Sequence, residues 1–449
     1  MFTNRSQHRR SRLHGDALDC LQAGIEAAHP EQVVREHVTL SDGVLSVHGE
    51  QFDLGDYDNV LVAGGGNAAG TAARALEGVL GNRIDSGAII TDDPAPTDTI
   101  QVLAGDHPVP SERGVENTRQ MLASLDDAGE SDLVVALVTG GGSALMVAPA
   151  EGIELADLQS LTDALLDSGA AIGEINAVRK HLSALKGGGL ARTAAPATVV
   201  GLVFSDVVGN DLGTIASGPT APDETTYADA LAVLDRYDVR APAAVRDRLE
   251  RGARGDLPET PGPDDPLFDT VSNYVLADGL TAVEAAADEA ERQGYAPVVL
   301  SSRIRGEARE AAKTHAAIAE ECRASGHPVE PPVALVSGGE TTVTGPGDGV
   351  GGPNQEFALG VAVDLDDGRT VFASVDTDGI DGATDAAGAL VDDETVTDTE
   401  TARQALADHD SGPFLDARGA VLETGPTGTN VNDLRVHLVA DGGDGSGTS

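Results

Sequence analysis

The stretch NVLVAGGGNAAG, residues 59–70, runs from five strand-forming residues into three consecutive glycines and then into a helical pattern. A buried strand, a glycine-rich turn and a helix together can bring bare backbone N–H groups to an anion. The glycine spacing approximates the dinucleotide fingerprint, with Asp92 about 20 residues further on where a ribose-binding acid is expected. A tight turn in any α/β fold explains the same letters, so both interpretations stay open. The candidate cofactor-binding residues of this turn are Gly64, Gly65, Gly66 and Asn67.

The order of strand, turn and helix recurs along most of the chain. Because strands that alternate with helices form parallel sheets, we expect an α/β fold whose mainly parallel sheets are covered by helices on both faces. The predicted helices lie at 16–29 (ended by Pro30), 67–80, 112–127, 279–293 and 304–324, and residues 154–186 are predicted to form one or two helices. The predicted strands lie near 59–63, 87–91, 132–138, 197–204, 271–276, 297–300, 333–337, 370–375 and 434–439.

Length and a proline-rich segment indicate two domains. The chain has 449 residues, which exceeds what one hydrophobic core usually supports. Four prolines between 255 and 268 mark the boundary. LVTGGGSAL at 137–145 and LVSGGETTV at 335–343 echo each other, so both domains would direct similar loops at one active site in an inter-domain cleft. The expected division is a first domain at 1–254, a linker at 255–268, a second domain at 269–440 and a disordered tail at 441–449. An alternative is that the last segment before the tail packs on the first domain.

The charge balance excludes several classes of protein. The net charge is −45, and only 3 of the 29 basic residues are lysines. So acidic a chain is not expected to bind nucleic acid or an anionic membrane, and its scarcity of lysine is typical of adaptation to concentrated salt. No stretch approaches the roughly 20 apolar residues of a membrane span. No apolar run follows Arg9 and Arg10, so we expect no export signal and a cytoplasmic protein.

Two further motifs favour anion binding. TGGGSAL at 139–145 could form a phosphate or carboxylate cradle, with a plain turn as the alternative. NAVRKHLSALKGGGLAR at 176–192 holds two of the three lysines, and a compact ammonium suits phosphoryl oxygens. Arg179 and Lys186 are seven residues apart, so we expect both on one face of a helix ended by Gly187, although cations also complement a helix C-terminus. The cradle residues are Gly140, Gly141, Gly142 and Ser143.

Carboxylates follow two predicted strands. In FSDVVGNDLGTIASGPT, residues 204–220, Asp206 and Asp211 suit Mg²⁺ or the orientation of an attacking hydroxyl, and capping of a turn is the alternative. In the second half, polar loop residues after apolar strands are candidates for metal or substrate contact, with loop scaffolding as the alternative. These residues are Glu340, Asn354, Gln355, Asp378 and Asp381.

Six blocks in the same order resemble the class II glycerate 2-kinases, the family that carries the MOFRL domain. They are the four motifs after the first glycine turn, GDHPVP at 105–110 and TGPTGTNVNDL at 424–434, and the similarity extends from about residue 16 to 439. The resemblance implies transfer of the γ-phosphoryl group of ATP, with Mg²⁺, to the 2-hydroxyl of D-glycerate. The matching motif positions are Ser143, Lys186, Asp206, Asp211, Glu340, Asn354 and Asp378.

The chain departs from the family pattern at two cations. Asn67 stands where the family usually has lysine, and Pro353 stands where it usually has arginine. Losing two cations from a phosphoryl-transfer site costs several kcal/mol unless they are replaced. A second metal ion is one candidate replacement, and the others are Arg179, Lys180, Arg192 and Arg303.

The resemblance and the motifs together assign roles. Two alternatives stay open: an NAD(P)H-dependent hydroxypyruvate reductase, and a ligand-binding homologue without activity. A homodimer is compatible with the sequence. The expected catalytic residues are Lys186, Asp206 and Asp211, the substrate residues are Arg179, Glu340 and Asn354, and the metal ligands are Asp206 and Asp378.

Overall fold

The computed structural model describes residues 1–345, 347, 349–365 and 368–441. The chain forms two compact units. Pro30–Leu276 is the central unit, and Met1–His29 together with Ala277–Ser449 is the terminal unit. Residues 442–449, most of the expected tail, lie outside the described residues.

Helices α1 and α2 belong to the terminal unit, and the elements from α3 to β9 make up the central unit. The helices are α1 Arg5–His8, α2 Arg12–Ala27, α3 Pro30–His37, α4 Ala69–Leu80, α5 Glu112–Ala123, α6 Gly142–Leu145, α7 Leu155–Asp167, α8 Ile172–His181, α9 Gly189–Ala194, α10 Tyr227–Arg236 and α11 Ala243–Ala253. The strands are β1 Val38–Ser41, β2 Val44–Val47, β3 Glu50–Asp53, β4 Asn59–Gly65, β5 Ser86–Thr91, β6 Ile100–Ala104, β7 Asp132–Val138, β8 Thr198–Phe204 and β9 Val271–Ala277.

The central unit is built on a six-stranded sheet in the order β6-β5-β4-β7-β8-β9. Strand β4 is parallel to both β5 and β7, and the pairs β5–β6 and β7–β8 are parallel as well. Every residue of β7 is buried, as expected of a strand with helices on both faces. The strand order is that of a doubly wound sheet, which reverses direction between β4 and β7 and opens a crevice at their carboxyl ends. The predicted α/β fold is confirmed.

The remaining elements complete the terminal unit. The helices are α12 Gly279–Arg292, α13 Ala308–Ser325, α14 Pro353–Ala362, α15 Thr399–Ala407 and α16 Ser411–Asp416. The strands are β10 Ala296–Glu307, β11 Val333–Thr342, β12 Thr370–Asp376, β13 Gly388–Val391, β14 Val421–Leu422 and β15 Asp433–Val439.

The sheet of the terminal unit is mixed, so the expectation of a second mainly parallel sheet is wrong. The strand order is β10-β11-β15-β12-β13-β14. Among the paired strands that the structure describes in this sheet, only β10 and β11 are parallel. The physical reason is the last strand, which inserts between β11 and β12 and runs antiparallel to both.

The units divide the chain at other positions than the proline-rich segment suggested. Residues 255–268 belong to the central unit, where the Asp223 N–H donates to the carbonyl of Pro261 at 2.8 Å, and they lead into β9 at the edge of the central sheet. Helix α2 belongs to the terminal unit, because it packs on α12, β12 and β15. The approach is close: a Cβ on Gly24 would lie 2.5 Å from a methyl group of Leu434.

Candidate functional site

The glycine turns after β4 and β7 touch each other at the crevice of the central sheet. The Asn67 N–H donates to the carbonyl of Gly140 at 2.9 Å, and the Thr139 N–H donates to that of Gly65 at 3.1 Å. A Cβ on Gly66 would lie 2.1 Å from the Thr139 hydroxyl oxygen, so no larger residue fits there. The two motifs that the sequence singled out separately therefore form one structure.

Asn67 lies between these turns and the end of β5. Its Nδ2 donates to both carboxylate oxygens of Asp92, at 3.0 and 2.9 Å. A Cβ on Gly141, whose φ is +73°, would lie 1.8 Å from the Asn67 side-chain oxygen. The acid expected to bind a ribose is thus already held by the side chain of the glycine turn, which weighs against a dinucleotide reading of residues 63–70.

The hydroxyl of Ser143 is held by residues that the sequence analysis did not single out. Its Oγ lies 2.8 Å from the Oγ of Ser217, which in turn donates to the side-chain oxygen of Asn176 at 3.1 Å. Ser217 and its neighbour Ala216 both have left-handed backbone conformations, with φ values of 61° and 49°. Such conformations cost about 1–3 kcal/mol each and concentrate at functional sites. No sequence signal beyond membership of the fourth motif marked this turn.

Lys186 is a buried cation that forms no ion pair with a carboxylate among the residues that the structure describes. It is 6% exposed, and its Nζ donates to the carbonyl oxygens of Ser143 at 2.6 Å and Met146 at 3.4 Å. Burial, with a smaller contribution from the charge of Arg179, lowers the pKa of Lys186 to about 7. A buried ammonium of this kind gains most from an anion brought to it.

Arg179 is the second cation here. It is partly buried, burial lowers its pKa, and in the part of the chain that the structure describes it forms no ion pair. The expected single helix carrying both cations is wrong, because α8 ends at His181 and Lys186 follows in a turn. The chain leaves the helix where the Ala184 N–H donates to the carbonyl of Ala148 at 2.8 Å.

Both cations nevertheless line one cavity of about 460 Å³ in the central unit, which we call the Lys186 cavity. A pocket of this volume falls in the range of small-molecule sites. Three sequence motifs that lie far apart in the chain and helix α7 all contribute to its lining. The lining residues include His107, Pro108, Val109 and Pro110 of GDHPVP, Gly141 and Ser143 of TGGGSAL, Arg179, Ser183 and Lys186 of the cationic motif, and Leu158, Gln159, Thr162, Asp163 and Leu166 of α7.

Asp206 and Asp211 differ in what they can do. A Cβ on Gly140 would lie 2.4 Å from an Asp206 carboxylate oxygen, so this acid sits against the cradle. Burial raises the pKa of Asp206, while the Gly141 N–H and the charge of His107 oppose that rise. Asp211 is exposed and accepts hydrogen bonds from Gly213 N–H at 3.0 Å and Thr214 Oγ1 at 2.6 Å, which is the turn-capping arrangement.

Asp206 could serve as the single carboxylate ligand of a magnesium ion, but it does not belong to a larger set of protein ligands among the side chains that the structure describes. No group of three or more metal-ligating side chains that could hold an ion occurs among the described residues. Magnesium in phosphoryl-transfer sites usually takes only one or two carboxylates and completes its shell with water and substrate phosphates. Asp206 beside the cradle meets that smaller requirement.

The other candidate cations are engaged or lie in the other unit. Lys180 Nζ pairs with the fully buried Asp223 at 3.2 Å, and Arg192 donates to the carbonyl of Glu259 at 2.9 Å. Arg303 is exposed on β10 of the terminal unit. His181 is a packed histidine, with Nδ1 2.7 Å from the carbonyl of Ala177. Arg179 is therefore the proposed replacement that lies in the same cavity as Lys186.

In the terminal unit, Asn354 organises a buried network. Its Nδ2 donates to Asp433 at 2.6 Å, and its side-chain oxygen accepts from Ser374 Oγ at 2.5 Å. Asp381 caps the start of α14 by accepting the N–H groups of Asn354 and Gln355, at 2.9 and 2.8 Å. Burial raises the pKa of Asp381 to about 7, although these hydrogen bonds oppose the rise. Asn354 thus has both ends of its amide engaged within the fold.

Further carboxylates lie at the end of β12. Burial, together with the charges of Asp378 and Asp433, raises the pKa of Asp376 well above its usual range. Asp433 forms a buried ion pair with Arg435. Glu340 is exposed on β11, in register with Arg305 of β10. The sequence analysis missed the pair of Asp433 and Arg435, although two charges in the otherwise apolar run DLRVHLV were a usable signal.

Comparisons with known proteins agree with this architecture. The family models described as "Domain of unknown function (DUF4147)" and "MOFRL family" match residues 16–250 and 333–433. A glycerate 2-kinase of Pyrococcus horikoshii is 42% identical over 424 residues, 92% of this chain and 94% of that protein. A D-glycerate 2-kinase of Thermotoga maritima is 38% identical over 431 residues, 94% of this chain and 97% of that protein. The solved glycerate kinase structure from Thermotoga maritima has a TM-score of 0.83 and covers 94% of this chain and 98% of its own.

The fold and the Lys186 cavity define an α/β protein with a cavity lined by two cations beside the glycine turns of a doubly wound sheet. Identity over nearly the whole length narrows that class. The chain belongs to the family of MOFRL-containing glycerate 2-kinases. Within the described ranges, no helix is long and apolar enough to cross a bilayer.

Proposed function

We propose that this protein transfers the γ-phosphoryl group of ATP to the 2-hydroxyl of D-glycerate and forms 2-phospho-D-glycerate. Family membership supports the reaction, and the names of the two relatives support the 2-position. The observation that carries the proposal is the Lys186 cavity, where Lys186 and Arg179 line the same space as the glycine cradle and, among the described residues, form no ion pair with a carboxylate. The strand order supports a Rossmann-like nucleotide-binding unit, and the use of ATP points to the cytoplasm.

In this mechanism the chain positions charge rather than forming covalent bonds. The backbone N–H groups of the cradle and the Ser143 hydroxyl hold phosphate oxygens, and Lys186 and Arg179 neutralise the charge that develops on them. Because the pKa of Lys186 is about 7, an arriving phosphate would favour its protonated form. Asp206, which lies against Gly140 of the cradle, is the carboxylate that would hold Mg²⁺, and the ion when bound would neutralise phosphate charge.

The roles of the remaining candidates stay predictions. Asp206 is also placed to orient the attacking hydroxyl, whereas the hydrogen bonds of Asp211 favour a structural role. Glu340 and Asp378 are proposed to contact acceptor or metal. For Asn354 we propose an indirect role, in which its amide fixes Asp433 and the start of α14.

The test is a phosphorus NMR assay of purified protein in molar KCl with MgATP and D-glycerate. We expect a phosphate resonance coupled to the proton on carbon 2. Lys186→Ala should lower turnover by about 10²–10³-fold, because one preorganised charge contact is removed. Lys313→Ala is the matched control, since Lys313 is exposed and pairs with Glu310.

Three results would contradict the proposal in different ways. A phosphate on carbon 3 would overturn the regiochemistry. Oxidation of NADH by hydroxypyruvate without ATP would establish the reductase alternative. Tight binding of MgATP and glycerate without product at any salt concentration would establish an inactive homologue.

A further inference from the structure

The lining of the Lys186 cavity includes exposed aliphatic side chains that the chemistry of phosphate does not explain. Val109 is 63% exposed and Leu166 is 58% exposed, and both line the same cavity as the 6% exposed Lys186. Exposure falls from these aliphatic side chains, which we call the aliphatic mouth, to the buried lysine, and the polar α7 residues Gln159, Thr162 and Asp163 line the same cavity. Single exposed apolar residues are ordinary, but two on separate elements at one cavity mouth are not scattered singly.

The two walls of this mouth are fixed by the fold. Leu166 lies on α7, whose opposite side buries Leu161 and Leu165 in the core. Val109 lies in the loop after β6, and Gln159 of α7 donates from Nε2 to the carbonyl of Pro110 at 2.7 Å. This hydrogen bond ties the loop to the helix, so the aliphatic walls keep their separation without a ligand.

We propose that the aliphatic mouth binds the base of the nucleotide, between Val109 and Leu166, while the phosphates lie at Arg179 and Lys186. The inference rests on the proposed function, because it assigns the ATP of that reaction to the central unit. A nucleotide has a flat, uncharged base at one end and charged phosphates at the other. This order matches a cavity with exposed aliphatic side chains at its mouth and cations at its floor. Glycerate does not match, since a three-carbon acid is polar throughout and would leave Val109 and Leu166 exposed.

The experiment compares Leu166→Asn and Val109→Asn with the control Ile172→Asn. Ile172 is 56% exposed on α8 of the same unit and does not line the cavity, so it matches Leu166 in exposure and chemistry. Calorimetry in molar KCl measures binding of MgADP and of inorganic tripolyphosphate to each protein. Each mouth variant should weaken MgADP binding about fivefold, the effect of losing roughly one aliphatic contact, and leave tripolyphosphate binding unchanged. Lys186→Ala should weaken both probes, and Ile172→Asn neither.

Kinetics separates this inference from the proposed function. In the assay with D-glycerate, the mouth variants should raise the KM for ATP and not the KM for glycerate. A rise in the KM for glycerate alone would assign the cavity to the acceptor and overturn the inference. If the wild-type protein phosphorylates glycerate but the mouth variants bind MgADP normally, the inference fails alone. If the mouth variants weaken MgADP binding but wild-type protein forms no product, the proposed function fails alone.

Discussion

Two buried lysines of the central unit should respond to the same substitution with opposite signs. Lys180 lies 3.2 Å from the carboxylate of Asp223, and the two side chains are 9% and 0% exposed. Lys186 is buried to a similar extent, but its Nζ contacts carbonyl oxygens. We expect Lys180→Met to destabilise the fold, because it leaves the buried carboxylate of Asp223 without a counter-charge. We expect Lys186→Met to stabilise the fold, because it removes the desolvation cost of a buried charge that has no counter-charge among the described residues.

The magnitudes follow from the contacts. Burial lowers the pKa of Lys186 from 10.5 to about 7. At about 1.4 kcal/mol for each tenfold change, the charged form costs about 4 kcal/mol at pH 7. Methionine removes that cost but leaves the carbonyls of Ser143 and Met146 without a donor, a loss of about 2 kcal/mol, so the net gain is about 2 kcal/mol. Lys180→Met leaves the buried carboxylate of Asp223 with hydrogen bonds from Thr225 and Thr260 but without its counter-charge, and should cost about 3 kcal/mol.

Urea unfolding of the three proteins in molar KCl measures these differences, and the pH dependence sharpens the test. Between pH 7 and 10.5 the unfolded chain binds a proton at Lys186 that the folded chain does not, so wild-type stability rises with pH relative to Lys186→Met. The advantage of the variant should therefore be largest near pH 7, vanish at about pH 9, where the cost of the charge equals that of the lost hydrogen bonds, and become a deficit of about 2 kcal/mol near pH 10.5. A Lys186→Met protein that is less stable than wild type at pH 7, with the same pH slope, would refute the reasoning.

Three further perturbations test other parts of the structure. Arg179→Gln should lower kcat/KM for ATP about 100-fold. If Arg179 replaces the family cation, adding Asn67→Lys should restore part of that loss. A loss of the same size with and without Asn67→Lys would contradict the replacement. Gly141→Ala should cost about 2 kcal/mol in urea unfolding, because φ is +73° and its Cβ would meet Asn67; relief in an Asn67→Gly background, where the side chain is absent, checks the steric part. Burial alone would raise the pKa of Asp392, but hydrogen bonds from a histidine and a threonine lower it to about 2. Asp392→Asn should thus lose about 1–2 kcal/mol at neutral pH, and urea unfolding should show this loss shrinking as the pH falls from 3.8 towards 2.

The elements predicted best from the sequence are those that depend on residues close together in the chain. A strand buried on both faces must be an apolar run, which is why 132–138 and 370–375 were found as β7 and β12. Glycines at 64–66 and 140–142 are required by close backbone approach, so the crevice could be found from letters alone. Long apolar periodicity likewise predicts α12 and α13 nearly at their observed bounds.

Contacts between distant segments could not be predicted in the same way. The orientation of β15 depends on a gap between β11 and β12 that no local pattern records. Asp381 caps α14 from a position 27 residues beyond Asn354. The end of α8 before Lys186 depends on hydrogen bonds to another loop, whereas helical spacing alone would have carried the helix onward.

The assignment of helix α2 to the terminal unit has a consequence for how the polypeptide is made. Residues 12–27 leave the ribosome first, but the surface they cover, on α12, β12 and β15, is not complete until residue 439 has been synthesised. The intervening 30–276 can assemble its own sheet during translation, while the leading helix keeps its apolar side open to chaperones or to a neighbouring nascent chain. Removing that leader should consequently damage the half of the molecule encoded last and spare the half encoded next to it.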